Sequence, residues 1–461
     1  MIELVVKFLP YIFILYFLVR YSREPIYLLG IPFILLLRDS IFVNEAFIFG
    51  LPGSYGADIR FLGWFIIVWI SISLKASFMI ESNNQIAFNK QGLNKQDYII
   101  LALILISSIG LAQTLIEFNI IENVYIQYFT LLSLFLGYFM VKDILRYCNL
   151  QVLSDFLYNI VIINSIASVF YILHQGLHIN IYGNKSEYLS IDFQGELITR
   201  TFWFMPVLWF FSISYLLVFN KNRSLVNIIL LSVNLLGVFI SYTRSFMGIS
   251  VILFVIYYLL LGFKGNNFLN SIKKLIVTGL AGFVLFIAVS SFLPSSTNYF
   301  LNRFKELDEE PVDAQSNNLI YRFYKTDRMI YRMDAVKILF GYGSVTEKQS
   351  SFAKVVHIAA ADMGYAEVIF RWGYLGLALF ILLFISSIIK AFFLFLRNDG
   401  IVSQFALLLL LIIVSQLIEG FTSWIFMSPN RFAMGLWYFG VLSALIEFVK
   451  EKKERYKSIV Y

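Results

Sequence analysis

Apolar residues run through this chain in stretches of about twenty, each bounded by charged or turn-forming residues, and a helix of that length crosses the roughly 30 Å of a bilayer's hydrocarbon core. Such stretches lie near Leu4 to Val19, Ile26 to Val43, Phe61 to Leu74, Tyr98 to Ile116, Tyr125 to Val141 and Phe156 to Leu173. Others follow near Phe202 to Phe219, Leu225 to Ile240, Phe246 to Phe263, Leu275 to Leu293, Tyr365 to Phe395, Val402 to Ile418 and Phe432 to Val449. The pattern predicts an all-α fold, a polytopic transmembrane helical bundle of about 12–14 helices. The stretch from Tyr365 to Phe395 is long enough to project beyond the bilayer. One polar interruption breaks the succession, roughly from Pro294 to Met363. It is too long for a connector, so it is expected to be a large extracytoplasmic loop, partly helical, that carries function. The chain thus divides into N-terminal spans over 1–293, the loop over 294–363, three C-terminal spans over 364–449 and a basic tail over 450–461.

Composition agrees with this reading. Of 461 residues 59% are hydrophobic and only 14% charged, with mean hydropathy +0.77, a balance that cannot cover a soluble core with polar surface. The formal charge of +7 raises nucleic acid as a partner, but the cations sit mainly in short connections on alternating sides, the pattern that orients a membrane protein. The expected partner is the lipid bilayer, and nucleic acid is not expected. Lys95, Lys142, Lys264, Lys390, Arg397 and the tail from Lys450 to Lys457 fall on the expected cytoplasmic side. The first span lacks a small-residue cleavage site and reads as a retained helix. Cys148 is the single cysteine, which excludes an internal disulfide and thiolate clusters, and no metal or cofactor is expected. There is no fixed-period repeat and no matching pair of broken helices, features that many transporters show.

The polar residues that can do chemistry gather on the other side. Within the loop, Arg322, Lys325, Arg328 and Arg332 advance by three, three and four residues, so on a helix they share about a third of the circumference. Guanidinium groups grip phosphate oxygens in pairs, so this stripe suits a phosphate or diphosphate, with a lipid-headgroup face as the simpler alternative. His357 follows just before the next span and has the titration range of a general base, though a histidine at a helix entrance also serves as a cap. Arg244 sits in a five-residue polar break, Ser241 to Ser245, between two spans; it either snorkels to headgroups or acts as a second anion anchor. Glu419 and Arg431 add charges on the same side, paired with each other or orienting the site. His174 and His178, spaced i and i+4, have no third ligand candidate nearby. Gly341-Tyr342-Gly343 lacks the Thr-Val and the pore helix of a potassium filter.

Three segments together resemble the O-antigen polymerase and O-antigen ligase superfamily. Ser241-Tyr242-Thr243-Arg244-Ser245-Phe246 is similar to the Ser-Arg break between two helices of that family. Arg328 through Gly343 resembles its loop arginine, the helix after it and the glycine turn that closes that helix. His357, Glu367 and Gly373-Tyr374-Leu375-Gly376 resemble the loop histidine and the following helix entrance. This chain has Tyr331-Arg332 where the family often has a tryptophan, and Ile358 and Ala359 where it has Asn or Asp. The resemblance implies a metal-independent glycosyltransferase in a bacterial cytoplasmic membrane, acting on its outer face on an undecaprenyl-diphosphate-linked glycan. It further implies Arg244 and Arg328 as anion clamps, Arg332 beside them, and His357 as base. Polymerisation of surface-polysaccharide repeat units is the first expectation, with a chain-length regulator and a flippase as partners. An O-antigen ligase acting on the lipopolysaccharide core, and a non-enzymatic transporter of lipid-linked glycan, stay open.

Overall fold

The computed structural model describes residues 2–31, 34, 66–75, 93–118, 124–145, 148–177, 179, 190–193, 196–199, 205–219, 224–241, 243–265, 267–292, 319–343, 364–421 and 437–451. The helices are α1 (Ile2–Tyr21), α2 (Ile66–Lys75), α3 (Lys95–Phe118), α4 (Val124–Leu145), α5 (Leu150–Leu177), α6 (Met205–Phe219) and α7 (Leu225–Ile240). They continue with α8 (Arg244–Gly265), α9 (Phe268–Phe292), α10 (Leu319–Tyr331), α11 (Ala335–Phe340), α12 (Gly364–Arg397), α13 (Gly400–Glu419) and α14 (437–451). Among the described residues, α3, α5, α8, α12 and α13 contain segments long and apolar enough to cross a membrane. Several such helices in one chain make this a multi-pass membrane protein.

Three local features depart from the reading by spans. The chain after α1 does not start a second α-helix at Ile26. Pro25 opens a 3-10 turn, Pro25–Leu29, whose Tyr27 ring meets Phe156 edge-on at 5.7 Å. A short hairpin also occurs, Ser190–Phe193 (β1) antiparallel to Glu196–Thr199 (β2), with Phe193 opposite Glu196. Its signal in the sequence is the polar–apolar alternation of Ser190-Ile191-Asp192-Phe193 followed by the turn pair Gln194-Gly195, too short to register among twenty-residue spans. Third, α12 is broken at Gly373, where φ is 64° and ψ −169°.

The bundle is built around α13, on which Phe405 through Ile413 are all buried. A helix apolar all round belongs at the centre, and α13 packs against α6, α8 and α12. Since lipid tails are as apolar as leucine, packing alone gives little preference among helix partners, and polar contacts supply it. Asn164 of α5 donates to Ser212 of α6 at 3.0 Å and to Asn234 of α7 at 2.7 Å, and Asn234 donates to Ser165 at 2.8 Å. Trp209 of α6 donates to Ser168 of α5 at 2.8 Å. These bonds register α5, α6 and α7 against one another.

Charges register a second group. Lys142 of α4 lies 2.6 Å from Asp97 of α3 and 2.7 Å from Glu447 of α14, with all three side chains almost wholly buried. Tyr138 donates to Asp97 at 2.7 Å, and Asn94 donates to Ser443 at 2.7 Å. Removing one partner of such a cluster strands a charge away from water, at a cost of about 3–5 kcal/mol. The cluster marks one end of the bundle. At this end Lys264, near the close of α8, donates to the Phe395 and Asn398 carbonyls and to Ser403 of α13, and lies 3.2 Å from Asp399. Because the last turn of α8 meets the first turn of α13, the two helices run antiparallel, and the start of α8 lies at the opposite end, with Glu419.

Candidate functional site

That opposite end is organised by the break in α12. A non-helical residue at Gly373 takes the N–H groups of Tyr374 and Leu375 out of reach of the Phe370 and Arg371 carbonyls, which would have been their partners in an unbroken helix. The freed carbonyls are filled from elsewhere. Tyr342 N–H donates to Phe370 O at 2.7 Å, and Gly343 N–H donates to Arg371 O at 2.9 Å. The short segment Gly341-Tyr342-Gly343 thus completes the broken ladder of another helix.

Glycine is required on both sides of this junction. Gly341 has φ 77° and Gly373 φ 64°, a region that other residues seldom enter. A Cβ on Gly341 would stand 2.3 Å from the Arg371 carbonyl carbon and oxygen, and one on Gly373 would stand 2.2 Å from the Leu339 carbonyl oxygen. The two backbones touch.

The helices before this turn are set by their own sequence. Asp334 caps α11 by accepting from the N–H groups of Val336 at 3.0 Å and Lys337 at 2.9 Å. Gly341 N–H closes the same helix on Lys337 O at 2.7 Å. Lys337 is buried with its ammonium 5.2 Å from the Tyr342 ring centroid, and that ring stacks on Phe370 at 5.3 Å. Met329 of α10 and Met333 complete a small apolar cluster with Tyr342, Ala366, Ile369 and Phe370. So α10 and α11 form a hairpin docked on Gly364–Trp372, the arm of α12 before the break.

Under the hairpin lies a buried ion pair. Arg371 Nε donates to Glu367 Oε1 at 2.7 Å, with side-chain exposures of 10% and 0%. Arg371 is therefore fastened twice, by its carbonyl to Gly343 and by its guanidinium to Glu367. The end of α13 closes the base of this arm: Gly364 N–H donates to Gly420 O at 2.9 Å, and Tyr365 donates to Leu417 O at 2.7 Å. Glu419, the last residue of α13, is fully buried there.

Arg328, in the last turn of α10, and Arg332, in the turn between α10 and α11, are exposed. Arg322 and Lys325 belong to α10 as the stripe predicts. Arg332 stands one residue beyond the helix, so the stripe ends in a turn. Arg244 is the first residue of α8, half-buried, at the same end of the bundle as Glu419. His174, paired in sequence with His178, lies with Nδ1 3.0 Å from the Ile179 carbonyl. His357, Arg431, His178 and the acidic run from Asp308 to Asp313 lie outside the described residues.

No family model matches the chain, and no curated protein matches it. The exposed arginines of the site can hold anions, and it rests on a rigid junction of three segments: the α10–α11 hairpin, the first arm of α12 and the end of α13. Among the described residues no group of three or more His, Cys, Asp and Glu is placed to hold a metal ion.

The sequence reading did not single out Arg371. The signal was there: Glu367 and Arg371 stand four residues apart in an otherwise apolar stretch, and paired charges at that spacing share a helix face. The Asp97, Lys142 and Glu447 cluster was less legible, because its members lie on three helices and each reads alone as an end-of-span charge.

Proposed function

We propose that this protein is a membrane glycosyltransferase that polymerises undecaprenyl-diphosphate-linked repeat units of a surface polysaccharide on the outer face of the cytoplasmic membrane. The observation that carries the reading is the placement of Arg244 and Glu419 at the end of the bundle where the α10–α11 hairpin, with Arg328 and Arg332, docks on the broken arm of α12. Four separate parts of the chain direct these residues toward that one end, and the arginines among them suit a diphosphate. The orientation follows from charge. Lys95, Lys142, Lys264, Lys390 and Arg397 belong to the other end, which we assign to the cytoplasm. The full count of about thirteen spans and the large extracytoplasmic loop over 294–363 belong to the same proposal.

In this mechanism an acceptor sugar hydroxyl attacks the anomeric carbon of the donor glycan. The new glycosidic C–O bond forms as the bond from that carbon to the diphosphate oxygen breaks. The electron pair leaves on undecaprenyl diphosphate, and the hydroxyl proton passes to His357. Arg244 and Arg328 hold the diphosphate and offset the charge growing on it, the kind of preorganised stabilisation worth the most in such transfers. Glu367 and Arg371 keep the hairpin in place.

The test is surface-glycan banding on a gel from cells whose chromosomal copy carries Arg244→Ala, Arg328→Ala or His357→Ala, with membrane abundance followed by immunoblot. The reading expects normal abundance and only single repeat units. Polymerised repeats that never reach the lipopolysaccharide core indicate a ligase, and wild-type banding from all three variants overturns the catalytic assignment.

A further inference from the structure

The α10–α11 hairpin turns one face to α12 and leaves the other exposed. Met329, Met333 and Thr326 are buried, while Tyr324, Tyr331, Arg328 and Arg332 point away from the protein, Tyr331 with 90% of its surface accessible. On α11 the exposed residues include Val336 and Leu339. Aromatic rings, arginines and short aliphatic side chains on one solvent-side face are the composition of a helix lying in a membrane interface.

Position supports composition. From Tyr374 to Arg397, α12 spans about 36 Å at 1.5 Å per residue, slightly more than the hydrocarbon core, so the break at Gly373 falls near the boundary between acyl chains and headgroups. The Leu339 backbone lies directly against Gly373. The exposed side chains that begin the lipid-facing stripe of α12, Tyr374 and Leu375, are therefore next to the exposed Leu339, and the stripe goes on through Ile381, Leu382 and Ile385. The apolar edge of α11 continues a surface that already faces lipid.

We propose that the α10–α11 hairpin lies in the headgroup layer of an anionic phospholipid bilayer, with Val336 and Leu339 in the acyl boundary, Tyr324 and Tyr331 at the interface, and Arg328 and Arg332 on lipid phosphates. Asp327 is exposed at the edge of the same face, and Asp334, which caps α11, is exposed as well. Against these two carboxylates the hairpin's sequence sets five cations, Arg322, Lys325, Arg328, Arg332 and Lys337, of which Lys337 is buried against Tyr342, so its net charge is positive and favours an anionic surface. The inference does not depend on glycosyl transfer. A hairpin held at this depth meets phosphates that diffuse within the bilayer, whatever chain they carry.

The test uses the full chain with Cys148→Ser and a single new cysteine, Leu339→Cys or, independently, Val336→Cys, labelled with an environment-sensitive fluorophore. Labelled protein in lipid nanodiscs is exposed to brominated phosphatidylcholine or to aqueous iodide, with Leu382→Cys on the lipid face of α12 as the reference. The proposal expects brominated lipid to quench the α11 probes at least half as strongly as the reference, with little effect of iodide. Replacing a third of the phosphatidylcholine with phosphatidylglycerol is expected to deepen the quenching, and Arg328→Gln with Arg332→Gln to abolish that increment. Strong iodide quenching overturns the proposal by placing the face in water. Quenching by neither agent overturns it too, because a segment of protein then covers the face; so does iodide protection that appears only on adding a soluble oligosaccharide, which identifies a glycan platform.

Discussion

Gly343 donates its N–H to the Arg371 carbonyl across 2.9 Å, so the loop supplies to α12 the hydrogen bond that Leu375 would make in an unbroken helix. Loop and helix are one unit of structure here, and changes on either side of the junction are expected to act on both.

Gly373→Ala is the sharpest probe of the junction. The added Cβ would overlap the Leu339 carbonyl oxygen, and the backbone would be held at φ 64°, a strain of about 1–3 kcal/mol before any steric term. The expected result is a loss of several degrees in melting temperature in detergent and protease sensitivity in 319–343. Gly248→Ala in α8, where nothing lies within 4 Å of the new Cβ, is expected to be neutral or to stabilise by up to about 1 kcal/mol.

Glu367 and Arg371 are expected to couple. Either Glu367→Leu or Arg371→Leu leaves the other charge buried, at a cost of about 3–5 kcal/mol, while the two changes together leave none and are expected to cost less than either alone. A double-mutant cycle in detergent unfolding measures the coupling. Additive costs would show that the two side chains act separately.

Lys142→Met is expected to destabilise more than any single change at Asp97 or Glu447, since it leaves two carboxylates facing each other where one ammonium now serves both. Thermal unfolding of the three variants in parallel gives the order.

Cys148 carries the pH dependence that can be checked most directly. It lies between α4 and α5, outside the spans, and burial, with the Glu24 carboxylate adding to it, pushes its thiol from an ordinary 9.0 up to about 12. At pH 9 the folded thiolate is then about one part in a thousand, against half in the unfolded chain. The folded state holds the proton more tightly, so this group's contribution is fully present below pH 9 and is lost as pH rises from 9 toward 12. Alkylation by iodoacetamide at pH 8 is expected to be at least a hundredfold slower than in the denatured protein. Equal rates would mean the thiol is not shielded.

What could be read in advance follows from the kind of signal each feature leaves. Leu225–Ile240 was legible to the residue because a run of apolar residues bounded by Ser224 and Ser241 has one interpretation near a membrane. The stripe through Arg322, Lys325 and Arg328 was legible because helical spacing is local. The break in α12 was not. Gly373 stood out only through a resemblance to a helix entrance, which says nothing of a break, and the Leu339 backbone pressed against it shows why a turn is needed there. Partnerships across the bundle, such as Asn94 with Ser443 or Lys142 with Glu447, depend on which helices become neighbours, and a single sequence does not state that.

The cluster around Lys142 also bears on how the molecule is assembled. Asp97 and Lys142 emerge early in synthesis and can pair as soon as α3 and α4 are side by side. Glu447 and Ser443 belong to α14, made some three hundred residues later. Between those moments Lys142 has half its partners and Asn94 lacks Ser443, so the end of the bundle assigned to the cytoplasm stays unfinished until α14 arrives. α14 is a keystone. Some three hundred residues separate Lys142 from Glu447, so this buried cluster cannot be settled piecemeal as α3 and α4 are made, and its charges wait for a helix synthesised much later.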